Sequence, residues 1–162
     1  MIIFFYIALF LLAVIFFQDL RSRAIWWFLP PVLFGCFVIL NWSETTVPGI
    51  LLNAAFVTAL IGFLVIYIRF RFGKLQNPFK EHFGLGDFLF LLALTPLFQF
   101  REFIWFFTFG TLAVLVVHLA VYLFKKTSTI PYAGYLALFT GFYLVTNRFY
   151  PTVINALTDL NG

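Results

Sequence analysis

The chain has 162 residues, of which 64% are hydrophobic and 10% charged, with a net charge of +4 and a mean hydropathy of +1.05. A soluble domain of this size has too little interior for so much apolar surface, so the composition excludes that class and points to an all-α polytopic membrane protein. A lone cysteine, Cys36, excludes an intrachain disulfide and a cysteine-based metal site within one chain.

Six apolar runs follow in order: Ile2–Phe17, Ile25–Leu40, Ile50–Ile68, Phe83–Phe100, Phe103–Phe124 and Ile130–Thr146. Each approaches the ~20 residues that a helix needs to cross ~30 Å of hydrocarbon. They are continuously apolar and too long for barrel strands. The first run has no basic segment before it and no small-residue cleavage site after it, so it is expected to stay as a permanent helix. The pattern predicts one six-helix domain over 1–146, followed by an amphipathic tail over 147–162. In that tail Phe149, Tyr150, Val153, Ile154, Leu157 and Leu160 fall on one helical face, expected to lie on the outer membrane surface.

Basic residues set the expected orientation. Arg21 and Arg23 follow the first run, Arg69, Arg71, Lys74 and Lys80 the third, and Lys125 and Lys126 the fifth, which leaves only Arg101 and Arg148 elsewhere. The positive-inside rule then puts these three connections in the cytoplasm and both termini outside. The positive charge answers to the anionic inner leaflet, and no nucleic-acid partner is implied.

Against this background two carboxylates stand out. Asp19 ends the first run, and Asp87 opens the fourth within Gly84-Leu85-Gly86-Asp87. Ionisable groups at a membrane are costly and mark functional sites by default. Both fall on the predicted cytoplasmic side at similar depth, Asp87 about one helical turn in, because the fourth run spans only if it starts near Phe83. Two carboxyls brought together share a proton: the ionised one can take a proton from water while the other donates to a carbonyl oxygen. Gly84 and Gly86 would let another backbone approach Asp87 and let the chain leave helical geometry there, where an extended substrate could add as a short strand.

Plainer roles compete at each position. Asp87 is well placed to cap a helix, and Asp19 to pair with Arg21 or Arg23 in water. His118 within the fifth run fits an interhelical hydrogen bond, Cys36 fits packing, and His82 with Glu81 fits an interfacial position, with no further ligands to make a metal site. The alternation of Arg69, Arg71, Lys74 and Lys80 with Phe70, Phe72, Leu75 and Phe79 fits a loop with its rings among headgroups.

Three segments carry a family resemblance: Asp19-Leu20-Arg21-Ser22-Arg23-Ala24-Ile25, Gly84-Leu85-Gly86-Asp87 and Ile130-Pro131-Tyr132-Ala133-Gly134. In order and placement at cytoplasmic helix ends, the chain resembles the prepilin peptidases, membrane aspartyl proteases that include archaeal preflagellin peptidases. The resemblance implies that Asp19 and Asp87 are the catalytic pair, with Gly84, Gly86 and Pro131 near substrate. It implies cleavage of short basic leaders from membrane-inserted prepilin-like proteins at the cytoplasmic face of a bacterial inner membrane, without metal or organic cofactor. The chain departs from the family where many members have Pro-Asn (here Trp26-Trp27), a lysine two residues after the motif aspartate (here Leu89), and a Pro-Phe-Gly-Pro-like turn (here Pro131-Tyr132-Ala133-Gly134). The cysteine-bearing N-terminal region of methylating members is missing, so methylation is not expected. Two other readings accompany the peptidase: a catalytically silent relative that binds pilin-like helices, and a small transporter, which more often needs ionisable groups near the midplane.

Overall fold

The computed structural model describes residues 1–72, 84–124 and 130–159, with positions 68, 72, 124 and 150–159 as backbone only. Among them are six helices and no strand: α1 (Ile2–Ser22), α2 (Leu29–Leu40), α3 (Val47–Phe72), α4 (Leu85–Ala93), α5 (Phe100–Phe124) and α6 (Tyr132–Asp159). The all-α expectation holds. Three of the six, α1, α3 and α5, are long and apolar enough to cross a membrane.

Two helices are shorter than their apolar runs, and proline explains both. A helix from Ile25 would need the N–H groups of residues 30 and 31, and Pro30 and Pro31 have none. In the first turn of a helix starting at Leu29 those groups are not required. The run Phe83–Phe100 is expected as one long helix, but α4 stops at Ala93. Pro96 cannot donate to the carbonyl of Leu92, which instead accepts the Thr95 hydroxyl at 2.8 Å.

The turn after α4 exposes carbonyls that an apolar bundle must satisfy. Asn53 is fully buried on α3 and donates from Nδ2 to the carbonyls of Thr95 and Phe98, both at 2.9 Å. Asn41 donates to those of Pro96 and Leu97, and Thr45 to that of Pro96. This clamp fixes α4 against α2 and α3.

The most extensive interface joins α1 and α6. Their antiparallel register is set by two glycines on α6. Leu9 and Leu12 of α1 lie against Gly141, while Phe16 and Asp19 lie against Gly134. Ile15, Leu33, Phe37, Phe90, Phe103 and Leu136, contributed by five helices, are fully buried at the centre. The helix α6 runs on through Asn147 to Asp159, with Phe149 exposed, but the tail's side chains from 150 onward lie outside the described residues. So do Lys74, Lys80, Glu81, His82, Lys125 and Lys126.

Candidate active site

The site begins at the first turn of α6, where a helix leaves N–H groups without intrahelical partners. Pro131, buried, has no N–H, and its carbonyl accepts from Tyr135 at 3.1 Å to close the first turn. The Tyr132 N–H donates to the Ile130 carbonyl at 3.0 Å. The next two amides are claimed by carboxylates from elsewhere in the chain. Ala133 N–H donates to Asp87 Oδ1 at 3.0 Å, and Gly134 N–H to Asp19 Oδ2 at 2.7 Å. Consecutive amides thus hold the two aspartates side by side.

Each aspartate is also fixed by its own helix. Asp19 sits in the last turn of α1 and is only 5% exposed. Its carbonyl accepts the N–H of Arg23, which adopts the left-handed conformation (φ 55°) that ends the helix. Asp87 is in the first turn of α4, and its Oδ2 accepts the Gly84 N–H at 3.3 Å while its own N–H donates to the Gly84 carbonyl at 3.0 Å. The capping role foreseen for Asp87 is therefore real, but it occupies one carboxylate oxygen and leaves the other for α6.

The connection from α1 to α2 folds back over the helix end. The Ser22 hydroxyl donates to the Gln18 carbonyl at 2.8 Å, and Gln18 Oε1 accepts the Trp26 N–H at 3.1 Å. This lays Ile25 on Gly86 so closely that a Cβ there would stand 3.1 Å from the Ile25 Cβ. Gly134 is equally constrained, since a Cβ would meet Asp19 Oδ2 at 3.0 Å and the Phe16 carbonyl at 3.3 Å. The three segments singled out in the sequence therefore meet pairwise: Asp19 on Gly134, Asp87 on Ala133, Ile25 on Gly86.

The sequence reading missed the amides of Ala133 and Gly134, and with them Tyr132. The Tyr132 hydroxyl and the Thr111 hydroxyl are 3.0 Å apart, which ties the first turn of α6 to the middle of α5. Beyond Thr111, α5 continues for 13 residues to Phe124, a further rise of about 20 Å. The first turn of α6 therefore meets α5 well short of its end. Of the remaining candidates, His118 faces inward on α5 with an unpartnered Nδ1, and Cys36 is buried in α2. Among the described residues no group of three His, Cys, Asp or Glu could hold a metal.

Chemically, the site is a pair of acids oriented by amide donors at the positive end of a helix, where negative charge is favoured. Such a pair can hold a water, remove its proton and pass one back. No curated protein and no solved structure matches the chain. The family model for type IV leader peptidases matches residues 5–119, a stretch that contains both aspartates and ends before α6. That match covers well over half of the sequence, and the chain belongs to the type IV leader peptidase family of proteases.

Proposed function

We propose that this protein is an aspartic endopeptidase that removes the leader of membrane-inserted prepilin-like precursors, with Asp19 and Asp87 as its catalytic pair. The observation that supports this reading most is the convergence of two carboxylates, remote in sequence, on consecutive amides of α6. A helix end in need of a cap takes one local side chain. Two acids gathered from α1 and α4 are more than capping requires.

In the proposed reaction one carboxylate, ionised, takes a proton from a water held between the pair. The water oxygen attacks the scissile carbonyl carbon, whose oxygen accepts a hydrogen bond from the protonated partner. The tetrahedral intermediate collapses as the C–N bond breaks and the departing nitrogen takes a proton from the pair. Gly84 and Pro131 border the carboxylates on α4 and α6 and would lie beside the extended junction. Gly86 acts through Ile25, which it seats. The topology that goes with this function has six membrane helices in 1–146, both termini outside, and the pair opening to the cytoplasm of a bacterial inner membrane.

The test is processing of a prepilin-like precursor by purified protein, followed by mass. Asp19→Asn and Asp87→Asn should each lower the rate by ~100-fold or more, the scale of general acid–base catalysis, while inserting normally. Native rates in both variants would refute the assignment of the pair, and no processing by the unmodified protein would favour a silent relative that only binds pilin-like helices.

A further inference from the structure

Further out along α6 lies an apolar groove between α5 and α6, about 620 Å³ in volume. One side carries Trp105, Phe106 and Phe109, the other Phe139, Phe142 and Tyr143, and small residues Gly110 and Ala113 lie along α5. Its polar members, Glu102 and Thr146, are at the outer end, because α5 begins and α6 approaches its outer part there. Trp105, Phe109 and Phe142 are exposed, so the groove opens sideways, toward hydrocarbon in a membrane.

We infer that this groove receives the apolar helix of the precursor and so sets the position of the scissile junction; the inference rests on the peptidase reading above. Four observations favour a helix in this place. The groove lies along the helix that holds the site: Tyr132, Phe139, Tyr143 and Thr146 fall on one stripe of α6, and Tyr132 directly precedes Ala133, whose N–H holds Asp87. From Phe139 to Ala133 the rise is about 9 Å, so a helix lying parallel to α6 and starting level with Phe139 leaves a few extended residues to reach the carboxylates. Gly110 is already taken up by Leu136 of α6, but Ala113, small between larger neighbours, permits close approach of another helix in a membrane. The change from apolar lining to Glu102 and Thr146 matches a segment that leaves hydrocarbon at its outer end.

The other apolar depression near the site does not compete. It lies along Phe10, Ala13, Val14, Phe17, Arg21 and Trp26. That face of α1 is opposite the one carrying Leu12, Ile15 and Asp19, and Arg21 would repel a basic leader.

Two experiments test the groove. Photo-crosslinking with p-benzoylphenylalanine at position 105, 109 or 142, in an Asp87→Asn background with full-length precursor, should trap the precursor, whereas position 17 should not. Adducts to lipid only, or equal trapping at 17, would overturn the inference. Processing supplies the second readout, with full-length precursor compared against a peptide truncated to leader and junction. Ala113→Trp, which fills the groove, and Phe109→Ala, which widens it, should each lower the ratio of kcat/KM for full-length over truncated substrate about tenfold. An unchanged ratio in both variants refutes the groove and leaves the peptidase intact. Failure of the unmodified protein to cleave either substrate refutes the peptidase itself.

Discussion

Gly134 is the position where geometry and proposed catalysis are most tightly joined. A methyl added there would stand 3.0 Å from Asp19 Oδ2, 3.1 Å from Asp19 Cβ and 3.3 Å from the Phe16 carbonyl oxygen. None of the three is the free end of a flexible chain, so α1 and α6 must separate by a few tenths of an ångström or the carboxylate must swing aside. Alanine favours a helix over glycine by about 1 kcal/mol, and overpacking costs about 1–3 kcal/mol, so Gly134→Ala should change stability little. Its effect on cleavage should be larger. The amide bond to Asp19 is 2.7 Å and charge-assisted, and losing most of such a bond costs about 1.5–3 kcal/mol. If that loss falls on the transition state, processing slows by about 10- to 100-fold. Gly134→Val should be worse on both counts. The assay is precursor cleavage alongside unfolding in detergent for the same preparations. Native cleavage by Gly134→Val would show that the seat of Asp19 is irrelevant to the reaction.

Three further outcomes follow from other contacts. Gly86→Ala should slow cleavage by pressing on Ile25, and Ile25→Ala in the same chain should restore part of it, with a coupling of about 1 kcal/mol in a double-mutant cycle; additive effects would contradict the contact. Asn53→Leu should destabilise the bundle by about 3 kcal/mol in denaturant titrations, because two carbonyls lose their donor within the buried turn, whereas Thr58→Ala on the exposed face of α3 should be near neutral. Tyr132→Phe should cost about 1 kcal/mol of stability through the lost Thr111 bond and change cleavage less than tenfold, since the backbone amides of α6 remain; abolished cleavage would mean that the hydroxyl touches substrate.

The sequence made the acids visible and hid what holds them. Asp19 and Asp87 are conspicuous because charge is scarce in apolar runs, and their flanking glycines drew attention to the second. The holding groups are backbone amides, which no side-chain pattern displays. Pro131 was singled out, yet its contribution is to start a helix whose next free amides bind both carboxylates. A glycine two residues into that helix, at Gly134, was the available clue to a close approach. The length of α4 was legible in principle from Pro96, and the lone Asn53 in its apolar run signalled a buried polar clamp. The register of the site against α5 was not legible. It depends on Tyr132 meeting Thr111 at the middle of α5, a tertiary register with no local signature.

How the pair is stabilised bears on the departures from the family pattern. Two neighbouring carboxylates need positive potential, and a side chain two residues after Asp87 lies on a different face of α4. Here that position is Leu89, and the compensation visible in the structure comes from elsewhere. Three N–H groups, from Gly84, Ala133 and Gly134, point at carboxylate oxygens, and the last two belong to the positive end of a 28-residue helix. Arg23, held at the end of α1 by its left-handed turn, adds its charge beside Asp19. Amide donors are fixed in direction and need no reorganisation as charge moves between the acids, whereas a lysine on a flexible stem must be ordered first. Leu89 therefore stands apart from a site whose acids are already oriented, and on this argument Leu89→Lys should change the maximal rate of precursor cleavage little; a loss as large as that of Asp87→Asn would refute it.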